Sequence, residues 1–369
     1  MEATAVNLAR AEFQCNVCGA WSSRPAKGFD RESGSCAHCD SSVRLRALIA
    51  LLSQELFGVV IPLPEFPVLK GIRGLGMSDP PRIADLLAEK FDYTNTFYHQ
   101  APRFDVLHPE PGDLGRYDFV ISSEVMEHVP PPVETGFANL YDILKPNGLL
   151  LLTVPFNLSV HAEHFPSLHE FDIASPGGSP VLVNRRPDGS VEVFDDLVFH
   201  GGPGSTVEMR HFRKGELLQL LSSIGFSSTR IASENRHQFG IEHALTWGFP
   251  IVARKGLVQI PVEELAASYY EAQFKARHFE AEYIRLRTDY DKFVEFHESS
   301  YAEATRELEA RADWGRRLDR EIADYRQHFH TLVQEHAAKE REIMDRCEAA
   351  ERVQSNWWVR MLQNLGLVQ

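Results

Sequence analysis

At 369 residues, with 43% hydrophobic and 24% charged side chains, the chain has the length for two or three domains and the composition of an ordinary globular protein. Its formal net charge of −14 leaves no basic segment, which argues against DNA or long RNA as partner, because such binding rests on Lys and Arg neutralising phosphates. No run of about eighteen apolar residues occurs, and the start MEATAVNLARAEFQ lacks an apolar signal core, so a cytoplasmic chain with no transmembrane segment is expected.

Four of the five cysteines make the first pattern, CNVCGAWSSRPAKGFDRESGSCAHCD, in which the Cys15/Cys18 and Cys36/Cys39 knuckles are separated by seventeen residues. Thiols of a chain without a secretory signal stay reduced, so metal rather than disulfide is the natural reading, and four thiolates suit tetrahedral zinc. Four sulfur ligands leave no open position for water, which points to a structural role. DSSVRLRALIALLSQELFG follows, apolar at helical spacing with Asp40 or Ser41 as N-cap. Residues 1–58 are therefore expected to be a small zinc-binding module leading into a helix, and Cys347, in a charged helical region, an incidental thiol.

From about Val59 to 256 strand and helix patterns alternate, the mark of an α/β sheet. FPVLKGIRGLGMSD reads as a strand entering a glycine turn, and DPPRIADLLAEKF as a helix with Asp79 as N-cap and proline just inside it. YTNTFYH and YDFVISS read as strands, VETGFANLYDIL as a helix, KPNG as a turn and LLLLTVPF as a buried strand. FRKGELLQLLSSIGF is an amphipathic helix stopped at Gly225, and ALTWGFPIVARK a closing strand region. Residues 177–212 read as an insert: RPDG is a hairpin turn, so the pattern fits a β lid, with Asp195, Asp196, His200 and Arg210 facing a cleft, and equally a structural flap, and the glycines of HGGPGST permit movement of either.

Residues 257–369 are rich in Glu, Arg and Ala, with Gly315 as an internal glycine, and predict a long helical coiled coil. Leu318, Ile322, Tyr325, Phe329, Leu332, His336, Lys339 and Ile343 alternate steps of four and three, a heptad seam that asks for a partner helix. A helical hairpin broken near HESS, 297–300, is the alternative. Trp357, Trp358, Met361, Leu362 and Leu365 fall on one helical face suited to a partner protein.

The stretch YDFVISSEVMEHVPPPVETGFANLYDILKPNGLLLLTVPF, 117–156, resembles the class I S-adenosylmethionine-dependent methyltransferases of the type 11-like group: a strand ending in an acid-bearing loop, a helix, a Lys-Pro-Asn-Gly turn at 145–148, and an apolar strand ending near proline. The order of elements extends the likeness over roughly 65–256, and the zinc knuckle ahead and coiled helix behind resemble methyltransferases associated with bacterial surface-polysaccharide synthesis. The resemblance implies a Rossmann-like doubly wound sheet that binds S-adenosylmethionine beyond the carboxyl ends of its strands. Gly71, Gly74, Gly76 and Ser78 are then expected to hold the methionine part of the cofactor. Where the family places an acid before the first glycine this chain has Lys70 and Arg73, with Asp79 as substitute; where the second strand usually ends on an acid it has His99 and Gln100, with Asp105 nearest to bind ribose or adenine.

Glu124, Glu127 and His128 leave the strand 117–121, and two carboxylates with an imidazole are costly to bury without a partner. One reading sets Glu124 beside the cofactor and gives Glu127 and His128 to the start of a helix. The other notes that Glu-x-x-Glu-His brings its ligands within one turn, resembling metal-dependent O-methyltransferases such as those acting on small-RNA ribose and in ubiquinone synthesis. His161, His164 or His169 supplies a further ligand, and a set of Glu124, Glu127, His128 and His164 would bind Mg²⁺ or Mn²⁺. Without metal, His128 or His164 is the expected general base. The expected function is methyl transfer to the hydroxyl of a small or saccharide acceptor, with the coil forming a homo-oligomer or docking a partner protein. The alternatives are a non-catalytic scaffold and an RNA 2′-O-methyltransferase, the latter opposed by the acidic charge.

Overall fold

The structure, a computed structural model, describes residues 10–25, 29–157, 161–200, 206–310 and 315–355. Contacts divide the chain into one unit through Leu265 and another from Ala266. The cysteine-rich module is thus part of the first unit, together with the sheet.

The module opens with the antiparallel pair β1 (Arg10–Gln14) and β2 (Trp21–Pro25). Helix α1 (Val43–Phe57) is capped by Ser42, whose hydroxyl accepts the Leu45 N–H, and not by Asp40 or Ser41. Asp40 instead takes a left-handed turn at φ 55°, its N–H bonded to the Cys36 carbonyl at 3.0 Å to close the second knuckle. Gly58 ends the helix in the left-handed conformation, its N–H returning to Gln54. Apolar residues lie on every face of α1, and Ala47 to Leu52 are all buried, so the helix is sandwiched rather than laid on a surface.

The sheet region contains β3 (Leu69–Met77), α2 (Pro81–Lys90), β4 (Phe91–Thr96), β5 (Tyr117–Ser123), α3 (Val133–Ile143) and β6 (Leu144–Thr153). There follow β7 (Phe156–Asn157), β8 (Ala162–Glu163), β9 (Glu170–Ala174), β10 (Val181–Arg185), β11 (Val191–Phe194), β12 (Arg210–Arg213), α4 (Lys214–Ile224), β13 (Ser228–Ile231) and β14 (Ile251–Arg254). The central sheet runs β13-β14-β6-β5-β3-β4. The four strands β6, β5, β3 and β4 are mutually parallel, whereas β14 is antiparallel to both its neighbours, so the Rossmann-like sheet is mixed. One face carries Val120, Leu150 and Leu152 against Phe137 and Leu140 of α3 and Leu217 and Leu221 of α4. On the other, edge-to-face contacts link Phe57, Phe66, Phe91 and Phe119 at 5.1, 6.1 and 5.4 Å, tying α1 to the sheet.

Two expected turns are bulges. Pairing jumps from Tyr117–Leu144 to Phe119–Leu149, so Lys145–Gly148 bulge out of β6, where Lys145 reaches Asp118 at 2.6 Å. Pairing likewise jumps from Leu69–Phe91 to Arg73–Asp92, which puts Gly71 in a bulge at the amino end of β3.

The lid is a three-stranded antiparallel sheet, β9-β10-β11, starting before the expected 177. Its RPDG turn forms as expected, with Gly189 at φ +81° and the Gly189 N–H bonded to Arg186. Phe165, Leu182, Val207 and Met209 give it a small core of its own. Asp195 and Asp196 are exposed, whereas Arg210, expected to face a cleft, is fully buried. The glycines of HGGPGST lie outside the described residues.

In the second unit the expectation of one continuous helix is corrected. Helix α5 (Val262–Ala310) runs straight through HESS and α6 begins at Gly315, continuing to Ser355. The two form an antiparallel hairpin: Tyr290 meets His336, Phe293 stacks on Phe329 and His297 lies by Tyr325, while Arg287 pairs with Glu340 at 2.8 Å. The seam of α6 is therefore met from within the chain. His297 to Ser300 contain no residue that breaks a helix, which is why the reversal falls later. The aromatic face at 357–365 lies outside the described residues.

Candidate active site at the strand-order reversal

The chain passes from β3 to β4 on one side and then returns to β5 on the other, so the sheet order reverses between β3 and β5. In an open α/β sheet the crevice beyond the carboxyl ends of such strands is where a ligand sits. Both strands end in unusual backbone there. Ser78 after β3 has φ 63° and Glu124 after β5 has φ 55°, left-handed conformations that non-glycine residues rarely hold without a reason. Each is fixed by its neighbour strand: the Ser78 N–H donates to Thr96 O at 2.8 Å and the Glu124 N–H to Thr153 O at 2.9 Å.

Asp79, next to Ser78, is buried and accepts a hydrogen bond from the Tyr93 hydroxyl. Burial raises its carboxyl to about 6, against the opposing effects of the Tyr93 bond and the Arg44 charge. It does not cap α2; Pro80 holds that position and Pro81 opens the helix. Gly76 is required because a Cβ there would strike the Tyr93 hydroxyl and the Asp79 carboxylate. Gly74 makes room for the stacked rings of Phe119 and Tyr93. Gly71 lies at the far end of the strand, its N–H donating to Glu264 at 2.8 Å. The expected glycine turn is therefore part of a strand: Gly71 and Gly74 serve packing, and only Gly76 abuts the crevice. On the β4 side His99 is exposed against Tyr98, and Asp105 accepts the Leu107 N–H at 2.9 Å and meets His108 Nδ1 at 3.1 Å.

Two arginines of the cysteine-rich module enter the same crevice. Arg31 Nη2 donates to Glu124 at 2.7 Å, and Arg44 donates to the Ser123 hydroxyl, which in turn meets Thr153 Oγ1 at 2.9 Å. The module itself gathers all four cysteine sulfurs within 4.8 Å of one another. Cys15–Cys39 at 3.6 Å and Cys18–Cys36 at 3.7 Å match the tetrahedral edge of about 3.8 Å that Zn–S bonds of about 2.3 Å require. Beside them Arg46 is fully buried, held by Ser35, Ser41 and Gly240 and lying over the Phe13 ring at 4.8 Å. A buried guanidinium complements the negative charge of a four-thiolate metal site. The donor set and its surroundings fit zinc.

The Glu-x-x-Glu-His segment splits. Met126–His128 is a single 3₁₀ turn, not the start of a helix. Arg210 holds it from below, its Nη1 donating to the carbonyls of Met126 and Val129 while Nε pairs with Glu163. Glu127 is fully buried; neither carboxylate oxygen has a hydrogen-bond partner among the described residues, and Oε1 lies 3.8 Å from His128 Nε2. Burial, and after it the charge of Glu124, pushes its carboxyl well up. His128 Nδ1 lies 2.9 Å from the Val207 carbonyl and so must carry its proton there, which leaves Nε2 with a free lone pair. Burial lowers its basicity.

The four expected ligands do not converge. Glu124 is taken by Arg31, and His164 by Glu208 at 3.0 Å, while Glu127 and His128 are joined instead by His200. Arg31, Arg44, Glu208 and His211 are the residues that sequence reasoning missed. Isolated arginines in a cysteine loop carry no signal, whereas His161, His164, His169, His200 and His211 within one stretch do.

Residues 64–181 match a methyltransferase domain family. Comparison with curated protein sequences finds no significant match. Among solved structures, 1,6-didemethyltoxoflavin-N1-methyltransferase of Burkholderia thailandensis is 15% identical, with 49% of this chain and 70% of that one covered and a TM-score of 0.27. An S-adenosylmethionine-dependent methyltransferase of Mesorhizobium loti is 16% identical, with coverages of 58% and 99% and a TM-score of 0.28. The citrinin polyketide synthase CMeT domain is 12% identical at a TM-score of 0.31; 52% of this chain matches, spanning 47% of that one, so the chain covers about half of that relative. The family match takes in β3 to β6, the strands whose ends make the crevice, so this stretch of the chain carries a methyltransferase domain.

Proposed function

We propose that the chain methylates a hydroxyl of a small or saccharide acceptor, with S-adenosylmethionine in the crevice between β3 and β5 and His128 taking the acceptor proton. The observation that carries this reading is the pair of left-handed residues, Ser78 after β3 and Glu124 after β5, at the ends of the two strands that flank the reversal point. The side chains there suit the cofactor: Arg31 and Arg44 a carboxylate, Asp79 and Glu124 an ammonium group or hydroxyls, with His99 and Asp105 toward ribose and adenine. The cofactor supplies an electrophilic methyl group. His128, with Nε2 unprotonated at neutral pH, accepts the hydroxyl proton as the oxygen forms its new bond to carbon. His164, tied to Glu208, is a weaker candidate for that role. With Glu124 and His164 engaged elsewhere, no step here is routed through Mg²⁺ or Mn²⁺ at the four expected ligands.

Zinc at Cys15, Cys18, Cys36 and Cys39 is structural in this reading, since it fixes the loop that carries Arg31 and the start of α1 that carries Arg44. The exposed Tyr270, Phe274, Ile284 and Phe296 of α5 offer a surface for a partner protein or a second copy. Calorimetric titration of S-adenosylmethionine into the full chain tests the reading. Micromolar binding is expected, and no binding would favour a non-catalytic scaffold.

A further inference from the structure

Bordering His128, whose ring lies 5.1 Å from that of His200, the end of β8 and the strand leading into α4 build a second constellation. Glu208 is 4% exposed, yet among the described residues no lysine or arginine pairs with its carboxylate. Three imidazoles face it, each through Nε2: His164 at 3.0 Å and His211 at 3.1 Å from Oε1, and His200 at 3.1 Å from Oε2. We propose that His164, Glu208 and His211 form a binding site for a divalent first-row transition metal, with His200 against the second carboxylate oxygen.

Three observations support this. The donor separations of 3.0 and 3.1 Å are those of neighbouring ligands around an ion: bonds of about 2.1 Å at right angles span about 3.0 Å. The His164 and His211 rings stand at 85° with centroids 5.3 Å apart, so both can aim a nitrogen at one point without stacking. The ligands also sit on paired backbone. β8 and β12 pair through Glu163–Arg210 and Ala162–His211, and the His164 N–H donates to Met209 O at 2.9 Å, so their spacing is set before any ion arrives.

Two imidazoles and a carboxylate make a nitrogen and oxygen donor set that suits Fe²⁺, Mn²⁺, Co²⁺ or Zn²⁺ and differs from the four sulfurs of the N-terminal module. A buried carboxylate is costly unless a cation meets it, and an ion supplies that charge. The histidines are 32–44% exposed, which leaves coordination positions open on the solvent side for water or for oxygens of an acceptor. The site shares no residue with the proposed cofactor contacts and stands whether or not the proposed acceptor chemistry does.

The test uses the full chain with one equivalent of Zn²⁺ already on its cysteines, titrated with Co²⁺ and followed by visible absorption. One further Co²⁺ is expected to bind with weak d–d bands and no intense thiolate charge-transfer band. Glu208→Gln and His211→Ala are each expected to weaken that binding by at least about tenfold, with melting curves in the absence of Co²⁺ showing that both variants fold, and His237→Ala, an exposed histidine elsewhere, to leave it unchanged. Absence of Co²⁺ binding to the zinc-loaded protein, or equal binding by wild type, Glu208→Gln and His211→Ala, would overturn the site.

Discussion

Arg31 donates to both carboxylate oxygens of Glu124, from Nη2 at 2.7 Å and Nη1 at 3.3 Å, joining residues 93 positions apart in the chain. Their side chains are 9% and 19% exposed, so the pair is largely withdrawn from water. It is also where the cysteine-rich module touches the residue whose backbone marks the crevice.

Arg31→Ala is expected to lower stability by about 1–3 kcal/mol, because it leaves a mostly buried carboxylate without its cation. Arg31→Lys is expected to restore little, since an ammonium cannot present the same fork. Thermal melting of the three proteins checks this, and equal melting temperatures would show the pair to be idle.

Elemental analysis of purified protein is expected to find zinc, and replacing Cys18 and Cys39 with serine to remove one equivalent. Chelation of that zinc is expected to lower the melting temperature and to weaken S-adenosylmethionine binding together, because the loop holding Arg31 loses its anchor. Loss of zinc with cofactor affinity unchanged would separate the module from the crevice.

For Asp79 the sign follows from burial. Its folded value of about 6 lies above the ordinary 3.8, so its protonated form stabilises the fold fully below 3.8, and that contribution is lost as pH rises through 6. The loss amounts to about 3 kcal/mol at 1.36 kcal/mol per unit. Asp79→Asn, melted without cofactor, is therefore expected to match wild type near pH 4 and to exceed it above pH 7. A difference independent of pH would contradict the assignment.

His128 is expected to titrate below its ordinary 6.5, since burial disfavours the imidazolium. Histidine NMR of wild type and His128→Gln identifies its resonance and midpoint. The variant is expected to keep S-adenosylmethionine affinity and to lose about 10²–10⁴ in methyl transfer to hydroxyl acceptors. Unchanged turnover would leave positioning alone as the source of rate.

What the sequence made legible was whatever depends on local pattern. The two knuckles, the alternation from β3 to β6, the stop at Gly225 and the RPDG turn all rest on short-range rules of spacing and backbone freedom. The glycines of β3 were misplaced because a glycine needed for a turn and one needed beneath an aromatic ring look alike until Tyr93 and Phe119 are seen above them. The reversal between α5 and α6 was hidden for a similar reason: a seam on one helix shows that a partner exists, not whether it lies in the same chain. Within the candidate site, Glu124 and His128 draw attention in the sequence from their position after a strand. Arg31 and Arg44 were not, because their role comes from long-range folding of the module against the sheet.

The sandwiched helix α1 has a consequence for how this chain is divided. Its inner residues fill space against the sheet, its first turn carries Arg44 to Ser123, and Arg46 braces the cysteine loop against Gly240. Cutting at residue 58 would strip a hydrophobic face from the sheet and leave the Gly240 carbonyl without the guanidinium that donates to it. The cysteine-rich module and the sheet are thus not two beads on a string. They share α1 as one keystone.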